Sequence, residues 1–142
     1  MALHATGLRR VYQKNCPHVL YGSACKVAFA AHRVSATLNF VSGVTIKSAA
    51  FAAQANGWWN GGFIQWLDSA GITEWRWVTS HVGDTLTLNI QAPQLISGSV
   101  IDVHPGCDHT IAICVSKFNN APNYGGMPYM TTKNPFAGEP IF

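Results

Sequence analysis

The chain has 142 residues, enough for one domain with a buried core and too few for two ordinary ones. A hydrophobic content of 48% excludes intrinsic disorder, and no run of about 18 apolar residues is present to cross a membrane as a helix. Charged residues make up only 11%, against roughly 25% in a typical soluble domain, which points to a surface occupied by protein partners rather than one that is merely neutral.

After a basic, turn-rich opening the chain reads as β structure. Val34 to Val41 alternates Val34, Ala36, Leu38 and Phe40 against smaller or polar neighbours, a period of two. Phe63 to Leu67 follows the turn signal Asn60-Gly61-Gly62. Glu74 to Thr79 places Trp75 and Trp77 on one face and Arg76 on the other, and both tryptophans are expected in the core. His81-Val82-Gly83-Asp84 turns the chain into a strand whose Leu86, Leu88 and Ile90 share a face, and Val100 to Val103 is a last short strand. One helix is expected: Asp108 caps a turn beginning near His109, and Ile111, Val115 and Phe118 recur at helical spacing. Beyond Phe118 the prolines and glycines oppose regular structure, while Tyr124, Met127, Tyr129, Met130 and Phe136 give the tail apolar content. The fold class is mainly β, a small antiparallel barrel or sandwich with one short C-terminal helix. Residues 1–118 are read as a β-rich cluster-binding domain, and residues 119–142 as its extended Gly/Pro-rich packing arm, lying across another surface.

Cys16 and Cys25 are spaced C-x8-C, and Cys107 and Cys114 C-x6-C, each pair among turn residues and with most of the β structure between them. Two disulfides would require an oxidising compartment, whereas the opening residues carry no apolar run of the secretory kind. One zinc ion held by four thiolates is chemically sound, although structural zinc sites favour tighter knuckles. A four-iron cluster takes one thiolate per iron and spans wider spacings. Four unrelated buried thiols would not account for the paired, turn-flanked arrangement. Charge favours a metal over disulfides. Four thiolates around a doubly charged inorganic core leave about −2, and Lys14, Lys26 and Lys117 lie within three residues of a cysteine. Residues 1–67 also carry six cations and no acid, while residues 68–142 carry three cations against six acids. Those cations are scattered, so no nucleic-acid binding is expected. Spacing and charge leave iron against zinc open.

The run PGCDHTIAICVSKFNNAPNYGGMPYM resembles the C-terminal signature of a phage tail family. There a Gly-Cys-Asp segment, a second cysteine, a Lys/Arg-Phe-x-Asn turn and an Asn-aromatic-Gly-Gly-x-Pro stretch follow in that order. CPHVLYGSAC resembles the opening element of the same family. It comprises the tail-tip hub proteins of siphophages and gene transfer agents, and the likeness extends to the C-terminal iron-sulfur domain of the phage lambda minor tail protein L. The resemblance runs from about Cys16 to Pro128, with its specificity at the two ends. It implies a [4Fe-4S] cluster held by Cys16, Cys25, Cys107 and Cys114, in a domain at the distal end of a long, non-contractile tail. It further implies a virion location after assembly in the bacterial host cytoplasm, with several copies in a ring against hub, distal tail and tape-measure proteins. The chain begins only a few residues before the first cysteine motif, so the hub modules joined to it in larger members are expected on a separate chain.

His18 and His109, with Lys26 and Lys117, are the residues expected to donate to a cluster sulfur or offset its charge. Cys107 with His109 is the one nucleophile pair available, but it leaves three cysteines unexplained. No Ser-centred elbow, phosphate-cradling loop or zinc-protease helix is present. Gly61-Gly62 and Gly125-Gly126 read as turns, and the chain reads as a structural protein rather than an enzyme. Trp58 and Trp59 sit between Asn56-Gly57 and Asn60-Gly61-Gly62 and are expected as loop-borne interface anchors, together with Tyr124, Tyr129 and Phe136 of the arm. The main alternative is a zinc-stapled tail adhesion module that binds the host surface through Trp58 and Trp59.

Overall fold

The computed structural model describes residues 12–130. Seven strands form one antiparallel sheet: β1 (Val34–Thr37), β2 (Phe40–Ser42), β3 (Thr45–Lys47), β4 (Phe63–Leu67), β5 (Thr73–Val82), β6 (Thr85–Leu88) and β7 (Val100–His104). Their order is β1-β7-β4-β5-β6-β3-β2, so the two edge strands are neighbours in sequence. Only Leu38 and Asn39 separate them. The Leu38 amide donates to Ser99 O at 2.9 Å beside one edge, and the Asn39 amide donates to Lys47 O at 2.8 Å beside the other. The sheet is therefore curled into a half-barrel, because two residues cannot bridge the edges of a flat seven-stranded sheet.

The stretch read as one strand, Val34 to Val41, is thus two strands at opposite edges. Its alternation misleads because Leu38, in the connection, is buried like a strand residue while Phe40 is 46% exposed. Thr45–Lys47 is a strand the sequence reading lacks. Within the meander β4-β5-β6 the register pairs Phe63 with Trp77 and Gln65 with Trp75. Ile64 and Trp66 point inward, as do Val78, Leu86 and Leu88. A bulge between Val78 and Ser80 shifts the alternation of β5, so that His81 becomes its next buried residue. Trp75 and Trp77 accordingly stand on the outer face, 47% and 59% exposed, which corrects their expected core role. Their inward neighbour Arg76 instead lies over the Trp66 ring at 5.4 Å and pairs with Glu74 at 3.2 Å. Ile90 lies beyond the end of β6 and is exposed.

The helix α1 spans Ile111–Ser116. Its N-cap is Thr110, whose hydroxyl accepts from the Ile113 amide at 3.3 Å; Asp108 acts one step earlier, accepting from the Thr110 amide at 2.9 Å and hydroxyl at 2.8 Å. Its buried side holds Cys114, with Phe118 beyond its end, while Val115 is exposed. A second, smaller core of Cys25, Val27 and Phe118, with Leu20, Tyr21, Cys107 and Ile113 packed against it, forms outside the half-barrel from both ends of the described chain.

Candidate metal centre

Two loops build this second unit. The first runs from Gln13 to Lys26 and the second from Pro105 to Met130. They are sewn together by backbone bonds: the Cys16 amide donates to His109 O at 2.8 Å, and the Met127 amide donates to Gln13 O at 2.8 Å. Left-handed backbone at Tyr21, Lys26, His109 and Asn119 folds each loop tightly around its cysteines. Tyr21 ties the unit to the sheet, donating to Pro105 O at 2.8 Å and meeting Phe63, His104 and Phe118 edge-on.

Cys16, Cys25, Cys107 and Cys114 line a single apolar-walled pocket with His18, His109 and Phe118. All four are free thiols. Cys25 and Cys114 are buried, and Cys16 and Cys107 half-buried. Burial pushes the Cys107 thiol up, aided by Asp108 and by Cys25 and Cys16, while the His109 amide at 3.3 Å from its sulfur opposes the shift. Burial and the other three sulfurs push Cys114 up. Three sulfurs receive N–H donors: Cys107 from His109, Cys16 from the Gly125 amide at 3.4 Å, and Cys25 from the Asn120 side chain at 3.8 Å. The Cys114 thiol donates to Asn120 O at 3.4 Å. Among the described residues, no three His, Cys, Asp or Glu side chains are grouped so as to hold one metal ion.

The other expected site residues divide. His18 lines the pocket and its Nδ1 meets Asn123 O at 3.1 Å. His109 serves through its backbone, donating to Cys107 and accepting from Cys16 and from Tyr124. The Lys117 ammonium donates to Trp58 O at 2.7 Å and Gly106 O at 3.0 Å and lies 4.9 Å from the centre of the Trp58 ring. Burial lowers its pKa, and the neighbouring Cys107 and Asp108 oppose that shift. It clamps the cysteine unit to the sheet. Lys26 is exposed, and only its amide is used, closing a turn on Gly22 O at 2.9 Å.

Trp58 and Trp59 are on a loop, but Trp59 is 1% exposed and fills the main core, and Trp58 is half-buried against that core and Lys117. Trp59 is therefore not an interface anchor: its indole packs into the main core from the loop. Tyr124 is half-buried as a brace between the loops, its hydroxyl donating to Lys14 O at 2.8 Å. Tyr129 is 94% exposed. Phe136 lies outside the described residues. The part of the arm from Asn119 to Met130 meets the first loop of its own chain through Met127, His18 and Tyr124. Gly125 and Gly126 are sites of close approach rather than free turns: a Cβ on Gly125 would strike the His18 ring, and one on Gly126 the backbone of Lys14 and Asn15. The sequence reading includes Asn120 only as the end of the Lys/Arg-Phe-x-Asn turn and assigns it no role, yet it is buried and touches both Cys25 and Cys114.

Fold and site together define a curled antiparallel half-barrel with a four-cysteine pocket formed by the segments 16–27 and 107–123. The model of the family described as "Phage conserved hypothetical protein BR0599" matches residues 57–134. An uncharacterized protein of Xylella fastidiosa (strain 9a5c) is 31% identical over 116 residues, 80% of this chain and 24% of that protein. The fold is similar to a chain of the virion of a native gene transfer agent (GTA) particle, with a TM-score of 0.76 and 22% identity, covering 99% of this chain and 51% of the other. The chain thus spans about a quarter of the curated relative and about half of the solved chain. It belongs to the BR0599 family of phage proteins.

Proposed function

We propose that this chain is a structural domain of the tail tip of a siphophage-type or gene-transfer-agent particle, its two ends clasped by a [4Fe-4S] cluster. The observation that carries the reading is the meeting of four thiols, from both ends of the described chain, in one pocket. Cys16, Cys25, Cys107 and Cys114 would each hold one iron. The donor set suits such a group: it is all sulfur, its walls are apolar and three of its sulfurs accept N–H bonds. The choice of iron over zinc rests on the resemblance of the two cysteine motifs to the tail-tip family. When bound, the cluster supplies a cross-link between the Cys16–Cys25 loop and α1. These residues close a long loop and so restrict the unfolded chain.

Family membership and the likeness to a virion chain support a particle component. A charge-poor chain with Trp75 and Trp77 on an outer sheet face suits packing against hub, distal tail or tape-measure neighbours in a ring of copies. The role is structural rather than catalytic. An adhesion module resting on Trp58 and Trp59 loses its anchor with the burial of Trp59. Complementation of particles lacking this protein tests the proposal. Cys107→Ser is expected to yield iron-free protein and tailless or tip-deficient particles. Normal infectious particles from that variant would contradict it.

A further inference from the structure

We infer that Asn120 is the positioning residue of this centre: it assembles the cysteine pocket before metal enters and donates a hydrogen bond to the Cys25 sulfur. The second half rests on the four-iron reading; the first stands without it.

Asn120 is 8% exposed, an unusual place for an amide that is not fully partnered. Every polar group on it is used, and the partners come from both cysteine pairs. Its Nδ2 donates to Cys25 O at 2.6 Å and lies 3.8 Å from the Cys25 sulfur. Its backbone amide donates to Cys114 O at 3.0 Å, and its carbonyl accepts from the Cys114 thiol at 3.4 Å. Its Oδ1 accepts from Asn123 Nδ2 at 2.7 Å, which fixes the orientation of the amide and turns both its protons toward Cys25. Asn123 in turn meets His18 through its carbonyl. The left-handed turn at Asn119, with φ of 47°, follows α1 and brings Asn120 against Cys25 and Cys114.

One side chain thus spans the gap between the Cys25 loop and the end of α1 without any metal. Aspartate has the same shape but offers no N–H, and would set a negative charge beside a sulfur that must itself become a thiolate. Hydrogen bonds to cluster sulfurs stabilise the more negative, reduced state, so this donor raises the potential of a bound cluster.

The test compares Asn120→Ala and Asn120→Asp with Asn119→Gly at the exposed neighbour, each full chain reconstituted anaerobically with iron and sulfide. Both Asn120 variants are expected to lose iron to a chelator about tenfold faster than the unaltered chain. Their midpoint potentials should be lower, lowest for Asn120→Asp, with Asn119→Gly unchanged. A purely structural role speeds iron loss without moving the potential, so an unchanged potential in both Asn120 variants overturns the sulfur hydrogen bond. Any variant that takes up no iron is judged metal-free by amide exchange. Lost protection at the Lys26 and Asn120 amides, bonded to Gly22 O and Cys114 O, supports preassembly, and protection equal to that of the unaltered chain overturns it. If the unaltered chain takes up no iron, the four-iron reading fails, and the same exchange comparison still decides whether Asn120 assembles the pocket.

Discussion

Gly62 and Gly106 pass so closely that neither leaves room for a side chain on the other. A Cβ on Gly106 would fall on the Asn60 carbonyl and the Gly62 amide, and one on Gly62 on the His104 carbonyl and the Gly106 amide. This crossing seats the second cysteine loop on the sheet, one residue before Cys107. Its obstacles are backbone atoms, which cannot rotate aside. Gly106→Ala is therefore expected to cost about 2 kcal/mol or more in chemical denaturation, with Gly61→Ala limited to the backbone strain of its positive φ because open space surrounds it. Equal, small losses at both positions would show that the crossing is not tight in solution.

The two kinds of tryptophan should separate cleanly. Trp59 is 1% exposed within the main core, and its truncation to alanine is expected to cost about 3–5 kcal/mol. Trp77 is 59% exposed and meets Phe63 edge-on at 5.7 Å, so Trp77→Ala should cost about 1 kcal/mol or less. Urea denaturation of the two variants measures both. The reverse order would contradict the inward and outward assignment of β5.

How much of this is legible in the chain follows from what each signal encodes. Alternation in Glu74–Thr79 states that Trp75 and Trp77 share a face, but not which one. The face is decided by Ile64, Leu86 and Ile101, outside that strand, which fill the inside with Trp59 from a loop. Turn signals place β4 and the β5–β6 hairpin well because Gly61 and Gly83 need positive φ where the chain reverses. Leu38 defeats the same reasoning, since a buried connection keeps strand-like periodicity. The cysteines are legible as two turn-flanked pairs, while their meeting in one pocket depends on contacts made across the whole domain. Asn120 is visible only as the last residue of the Lys/Arg-Phe-x-Asn turn, and composition and periodicity give it no role, because an asparagine in an Asn-, Gly- and Pro-rich stretch looks like any other turn residue.

His104 gives the half-barrel a pH dependence of known sign. Its ring is fully buried between Phe29 at 4.1 Å and Phe63 at 4.7 Å. Burial lowers its pKa from the usual 6.5, with the charge of Asp102 opposing. The unfolded chain therefore binds the proton more readily than the fold does. The contribution is complete above about pH 6.5 and is lost as pH falls through the lower folded value. Denaturation midpoints at about pH 5, 6 and 7 should fall on acidification in the unaltered chain, and fall less in His104→Phe, which keeps the stacking. Parallel pH profiles for the two would remove His104 from the account.

The central claim is that the segments on either side of the sheet in sequence close on one iron–sulfur centre through Cys16, Cys25, Cys107 and Cys114. Its most direct test is the iron and acid-labile sulfide content of the anaerobically purified protein, read with its absorption spectrum. The account predicts about four irons and four sulfides per chain with broad sulfur-to-iron bands, all lost in the Cys107→Ser variant. One zinc per chain without sulfide, or thiols joined pairwise as disulfides, would contradict it.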